Sequence, residues 1–132
     1  MARKTAIVTI DANSKGRDKG KSFVLTELPT AESEEWAGRA LFALMNAGVD
    51  IPDNIAEAGL AGLAAMGIKA ITKLPFDAAK PLLDKMMECV QIQPSPGVVR
   101  ALIPDDIEEV STMLTLRKAI WNLHTDFFTD AG

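Results

Sequence analysis

Few side chains in this chain could carry covalent, acid–base or metal chemistry. There is one histidine, His124, and one cysteine, Cys89. A catalytic histidine needs a nucleophile on one side and an orienting group on the other. Asp126 lies two residues from His124, so on a helix it faces elsewhere. A structural histidine is the simpler reading. Cys89 follows an apolar helical stretch and is flanked by Glu88 and Val90. The negative end of a helix disfavours a thiolate, so a buried, inert thiol is expected. One histidine and one cysteine do not make a tetrahedral metal site. The acidic pairs Asp105/Asp106 and Glu108/Glu109 lack calcium-loop spacing and stand where the start of a helix favours negative charge. The segment Gly16-Arg17-Asp18-Lys19-Gly20-Lys21-Ser22 echoes a phosphate-binding loop, but it has one residue too few between its glycines and leads into a strand-like Phe-Val-Leu-Thr instead of a helix. No catalytic residue, metal or cofactor is therefore expected, and the chain is read as a non-enzyme.

The elements that would position these groups follow from residue patterning. Thr5 to Ile10 is β-branched and apolar, and Lys21 to Leu28 alternates in part, with a polar, basic stretch between them. This predicts a β-hairpin with a mobile basic tip. Thr30 is placed as the cap of a helix carrying Trp36, Ala40, Leu41, Leu44 and Met45 on one stripe, with Gly48 as its left-handed stop. Asn54 and Glu57 have capping-box spacing ahead of an alanine- and glycine-rich helix to Met66, with a short turn or helix from Ile68 to Leu74. Asp77 is expected to cap a helix through Leu82, Met86 and Val90, with Pro81 in or just after its first turn. Gln91 to Gly97, with two prolines, reads as a break. Val98 to Ile103 reads as a third short strand pairing with the hairpin. Asp105 and Glu108 form a capping box for the longest helix, reaching Phe127.

The fold expected is thus α+β and predominantly helical: an N-terminal hairpin and a short third strand packed with four to five helices. Residues 1–132 are read as a single domain, with the hairpin over 1–28, a mainly helical body over 29–128 and a frayed tail over 129–132. Charge is uneven. Residues 1–22 hold six basic and two acidic side chains, and the remainder holds eight basic and sixteen acidic, for a net charge of −4. An acidic body argues against general nucleic-acid binding. No stretch is long and apolar enough for a membrane span or a signal peptide. A single cysteine suits a reducing compartment.

Six methionines cluster in part with aromatic residues: Met86, Met87 and Met113 with Trp121, Phe127 and Phe128. At helical spacing these form a core. They also have the adaptable, apolar chemistry of promiscuous binding surfaces. Phe127 and Phe128 are adjacent, so one helix cannot direct both into one core. Met86, Met87, Trp121, Phe127 and Phe128 are accordingly the candidate partner contacts.

In order along the chain, Gly20-Lys21-Ser22-Phe23-Val24-Leu25-Thr26-Glu27, Ala31-Glu32-Ser33-Glu34-Glu35-Trp36-Ala37-Gly38-Arg39-Ala40-Leu41, Gly48-Val49-Asp50-Ile51-Pro52, Pro81 to Val90, Asp106 to Val110 and Leu123-His124 resemble the tail assembly chaperones of long-tailed bacteriophages. The resemblance spans roughly residues 18 to 128. It implies a non-catalytic protein, encoded by a phage or prophage, that acts in the host bacterial cytoplasm. There it would bind the tape measure protein, keep it soluble and promote tail tube assembly, and it would be absent from the mature virion. Such chaperones often occur as a short form and a longer frameshifted form that recruits the tail tube protein. This chain resembles the short form, and a homo-oligomer is compatible with that role. The competing reading is a structural virion component, such as a tail completion or head–tail joining protein.

Overall fold

The computed structural model describes residues 3–11, 16–51, 53–54, 62–63 and 66–130, with side chains described as far as Thr125. Glu57 of the Asn54/Glu57 capping box, much of the alanine- and glycine-rich segment and residues 131–132 lie outside this set. Four strands, β1 (Thr5–Thr9), β2 (Ser22–Thr26), β3 (Val90–Ser95) and β4 (Val98–Ala101), form one antiparallel sheet in the order β1-β2-β3-β4. The α-helices with described bounds are α1 (Thr30–Asn46), α2 (Phe76–Met87) and α3 (Val110–Asp130), with 3-10 segments at Ile68–Lys73 and Pro104–Asp106. The chain divides into two compact units. A sheet unit takes residues 1–27 and 86–123, and a helical unit takes residues 28–85 and 124–132.

The expectation of a hairpin plus one short third strand with four to five helices is corrected by this four-stranded sheet. The missed strand is β3, which occupies the stretch read as a break. Its two prolines misled for a physical reason. Pro94 falls where the β3–β4 register shifts between Ile92 and Ser95, so its missing N–H interrupts no regular ladder. Pro96-Gly97 makes the turn into β4, with Gly97 at φ 79°, the sign required at the third position of a type II turn. The strand at Val98 is present but ends at Ala101. It pairs with β3, and β3 is the strand that joins the hairpin.

In the sheet unit the pairings Phe23↔Ile92 and Leu25↔Val90 put four buried apolar side chains on one face. Leu116 and Ile120 of α3 are buried in the same unit. The β1 residues opposite Phe23 and Leu25 are Val8 and Ala6, which share this half-buried face, while Thr5, Ile7 and Thr9 are exposed.

In the helical unit, α1 buries Trp36, Ala37, Ala40, Leu41 and Leu44. Four of these are on the stripe expected from spacing, but Met45, expected with them, is exposed, and Ala37 is buried in addition. Its start differs from expectation. Pro29 holds the cap position and Thr30 is already helical, so the first turn has no side-chain cap. Its end is a Schellman motif: Val49 N–H bonds the Leu44 carbonyl, Gly48 N–H bonds the Met45 carbonyl, and Gly48 takes φ 87°. The helix α2 begins at Phe76, with Pro75 accepting from the Ala78 and Ala79 N–H groups, so Asp77 lies inside the first turn and is not the cap. The Trp36 Nε1–H donates 3.0 Å to the Leu82 carbonyl and ties α1 to α2.

Leu44 and Phe42 neighbour each other on α1 but differ fully in burial. Replacing Leu44 with Ala is expected to lower stability by about 3 kcal/mol. Phe42→Ala should cost under about 0.5 kcal/mol, as for an exposed site. Urea denaturation followed by circular dichroism distinguishes the two.

Candidate functional site

The chemistry-bearing side chains of the sheet unit converge on Asp18, which leaves β1 on the way to β2 and is 1% exposed. Its carboxylate accepts the Glu108 N–H at 3.0 Å on both oxygens, the Glu109 N–H at 3.0 Å and the Thr112 hydroxyl at 2.6 Å. Lys21 Nζ donates to it at 2.9 Å, and also to Glu108 Oε2 at 3.2 Å and the Asp106 carbonyl at 3.0 Å, so all three ammonium protons are used. Arg17 holds Glu109 Oε1 through Nε at 2.9 Å and the Glu108 carbonyl through Nη2 at 2.7 Å. Gly16 lies so close to Glu109 that an added Cβ would stand 3.2 Å from its Cγ.

A carboxylate about 90 residues away in sequence thus caps the start of α3 in place of the expected Asp105/Glu108 capping box. Asp106 has its own task. It accepts the Ile103 N–H at 2.8 Å and a bidentate pair from Arg100 at 2.8 and 2.9 Å, which fixes the 3-10 turn before the helix. The segment read as a mobile basic tip is, at Arg17 and Lys21, held by charge-assisted bonds.

The protonation equilibria follow this geometry. Burial pushes the Asp18 carboxyl up, and the bonds from Thr112, Lys21, Glu108 and Glu109 together outweigh it, leaving the group at about 2. The bond from Arg17 holds Glu109 below its ordinary value, and the bond from Arg100 does the same for Asp106. The bond to Asp18 raises Lys21 above its usual range. A carboxylate whose acceptor sites are filled by backbone N–H groups and a lysine is poorly placed to act as a base. The network serves as a strut. Beside it runs an open cleft of about 480 Å³, with Thr9, Asp11, Ser111 and Thr115 on its walls.

His124 Nε2 accepts the Leu28 N–H at 3.0 Å, which places any proton of the neutral ring on Nδ1 and makes the ring a clamp on the residues before α1. Cys89 is buried and unbridged, and its carbonyl accepts the Thr26 N–H. Among the described residues, no group of three His, Cys, Asp or Glu side chains is arranged to hold a metal ion, and no helix is long and apolar enough to cross a membrane.

The candidate contacts differ in burial. Met86 and Trp121 are buried, Met87 is half-buried, and Phe127 and Phe128 lie in the last turns of α3, where side chains are outside the described set. No family model, curated protein or solved structure matches the chain.

Exposed apolar chemistry is found elsewhere. On α1, Phe42 is 67% exposed and Met45, three residues on and therefore on the same side, is also exposed. Phe76, at the start of α2, is 71% exposed. The sequence signal for Phe42 was its position off the buried stripe of α1, where a large aromatic contributes nothing to the core. Asp18 carried no such signal, because its partners lie far along the chain.

Asp18→Ala leaves the Glu108 and Glu109 N–H groups and Lys21 without their acceptor, and is expected to lower stability by about 2–4 kcal/mol. The pH dependence has a fixed sign. With a folded value near 2 against 3.8 for the free group, Asp18 contributes fully above pH 4, and the contribution is lost as pH falls toward 2. The shift corresponds to roughly 2 kcal/mol. Denaturant midpoints measured between pH 2 and 6 should therefore drop for the wild type over that interval and change less for Asp18→Asn.

Proposed function

We propose that this chain is a non-catalytic protein-binding module of the tail assembly chaperone kind, which holds the tape measure protein of a long-tailed phage while the tail tube forms. The observation that carries the reading is the pair of exposed apolar side chains on α1, Phe42 and Met45, with Phe76 at the head of α2. A long, apolar, helical client is held by several adaptable apolar contacts and not by one deep pocket. Helix faces presenting Phe and Met are suited to that. A net charge of −4 favours mutual repulsion between loaded complexes. The segment-by-segment resemblance to these chaperones supplies the identity of the client. The polar strut around Asp18 supports the same reading, because its reactive groups are already engaged with one another.

The experiment is co-expression with the tape measure protein encoded in the same genome. The client should move into the soluble fraction and co-purify. A client that stays insoluble with no complex formed would sink the proposal. A Phe42→Asp, Met45→Asp double variant should keep the circular dichroism of the wild type and lose at least about tenfold in client affinity, the loss expected when central apolar contacts are replaced by charge.

A further inference from the structure

The two edges of the sheet are unequal. On the β4 side the ladder carries a register shift between Ile92 and Ser95, together with Pro94, and such irregularity blunts an edge against further pairing. On the other side β1 is regular throughout, with Thr5 to Thr9 in unbroken register with Thr26 to Ser22. The bonds Ile10 N–H to the Lys21 carbonyl and Glu27 N–H to the Lys4 carbonyl fix the phase of this ladder. Lys4, Ala6, Val8 and Ile10 aim their backbone groups at β2, so Thr5, Ile7 and Thr9 aim theirs outward. The same three residues present their side chains on the exposed face, with Ile7 63% exposed at the centre of the strand.

We propose that β1 is a dimerisation edge, pairing antiparallel with β1 of a second copy of this chain about a twofold axis at Ile7. The sequence around Ile7 is self-complementary in that register. Ile7 meets Ile7 and Thr5 meets Thr9, with side chains on one face, while Arg3, which donates to the Glu27 carbonyl of its own chain, and Asp11 flank the strand at its opposite ends. Basic residues begin the strand and an acidic residue follows it, so the antiparallel register brings opposite charges together and a parallel one would stack like charges. The phase matches as well. Ile7, Thr5 and Thr9 are the outward-bonding residues, so each of these pairs is a narrow pair that exchanges two backbone hydrogen bonds. Shifting the register by one residue would set an outward-bonding residue against an inward-bonding one and lose these bonds. The interface is isologous and closed, and joins two four-stranded sheets into one. It rests on the β1 edge alone and stands apart from client binding through α1 and α2.

Sedimentation velocity of the full chain at about 100 µM, a concentration suited to an interface of the small class, should show a dimer. Ile7→Pro removes an outward N–H and none of the β1–β2 bonds, so it should preserve the circular dichroism and weaken dimerisation at least about tenfold. Cysteine scanning tests the register itself. A narrow pair holds its Cα atoms about 5.5 Å apart, inside the disulfide range. Ile7→Cys should therefore cross-link to a homodimer under mild oxidation. Thr5→Cys alone should not, because the two copies of residue 5 stand about 14 Å apart. A mixture of Thr5→Cys and Thr9→Cys should cross-link. The wild type, whose Cys89 is buried, provides the background. A strictly monomeric chain would overturn the proposal. So would a dimer that ignores Ile7→Pro, a dimer whose Ile7→Cys form fails to cross-link, or an edge that pairs only with a strand of another protein.

Discussion

The carboxylate of Asp18 joins parts of the sheet unit that the chain order keeps far apart. It reaches from the connection between β1 and β2 to the first turn of α3, and there it supplies the negative charge and the acceptors that a helix start lacks. Lys21 neutralises it from one side, while Arg17 secures the neighbouring Glu109. A buried carboxylate without such partners would be strongly destabilising. With them it becomes a specific lock, because no neighbouring register of the hairpin connection would bring the same acceptors to the Glu108 and Glu109 N–H groups. The apolar pairs Phe23↔Ile92 and Leu25↔Val90 give the unit its driving force, and Asp18 selects how α3 begins.

The construction is non-local. Residues 3–27 and 86–123 form one unit although the whole of 28–85 lies between them in sequence. Closing such a loop carries an entropy cost that grows only slowly with its length. What sets the cost is that β2 and β3 must find each other at all, and their pairing is supported by buried side chains on the core face. The helical unit is more local in character: a Schellman stop at Gly48, the 3-10 turn packed against α1, and the indole of Trp36 bonded to the Leu82 carbonyl.

That contrast explains what could be read from sequence. Most of the α1 stripe, all but Met45, and its glycine stop were legible because each depends on residues within a few turns. The β1–β2 hairpin was legible for the same reason. β3 was hidden because proline was taken as a breaker, while the ladder there tolerates two prolines at a register shift and a turn. The helix α3 was started too early because Asp105 and Glu108 have capping-box spacing. In the fold, Asp106 caps the 3-10 turn, Asp18 takes over at the helix, and no local pattern announces a cap from residue 18. The methionine and aromatic cluster has adaptable apolar chemistry, but helical periodicity cannot say which side of a helix the rest of the chain will cover, and Met86 and Trp121 were covered.

The two tryptophans of the chain fall one in each unit, Trp36 in the helical unit and Trp121 in the sheet unit, both shielded from water. There is no tyrosine to blur their emission. The molecule therefore contains a separate optical reporter for each of its halves. Emission from a chain keeping only Trp36 follows the melting of the helical unit, and emission from a chain keeping only Trp121, on α3, follows the melting of the sheet unit. Whether the halves come apart together or in turn is thus written into the fluorescence of the protein.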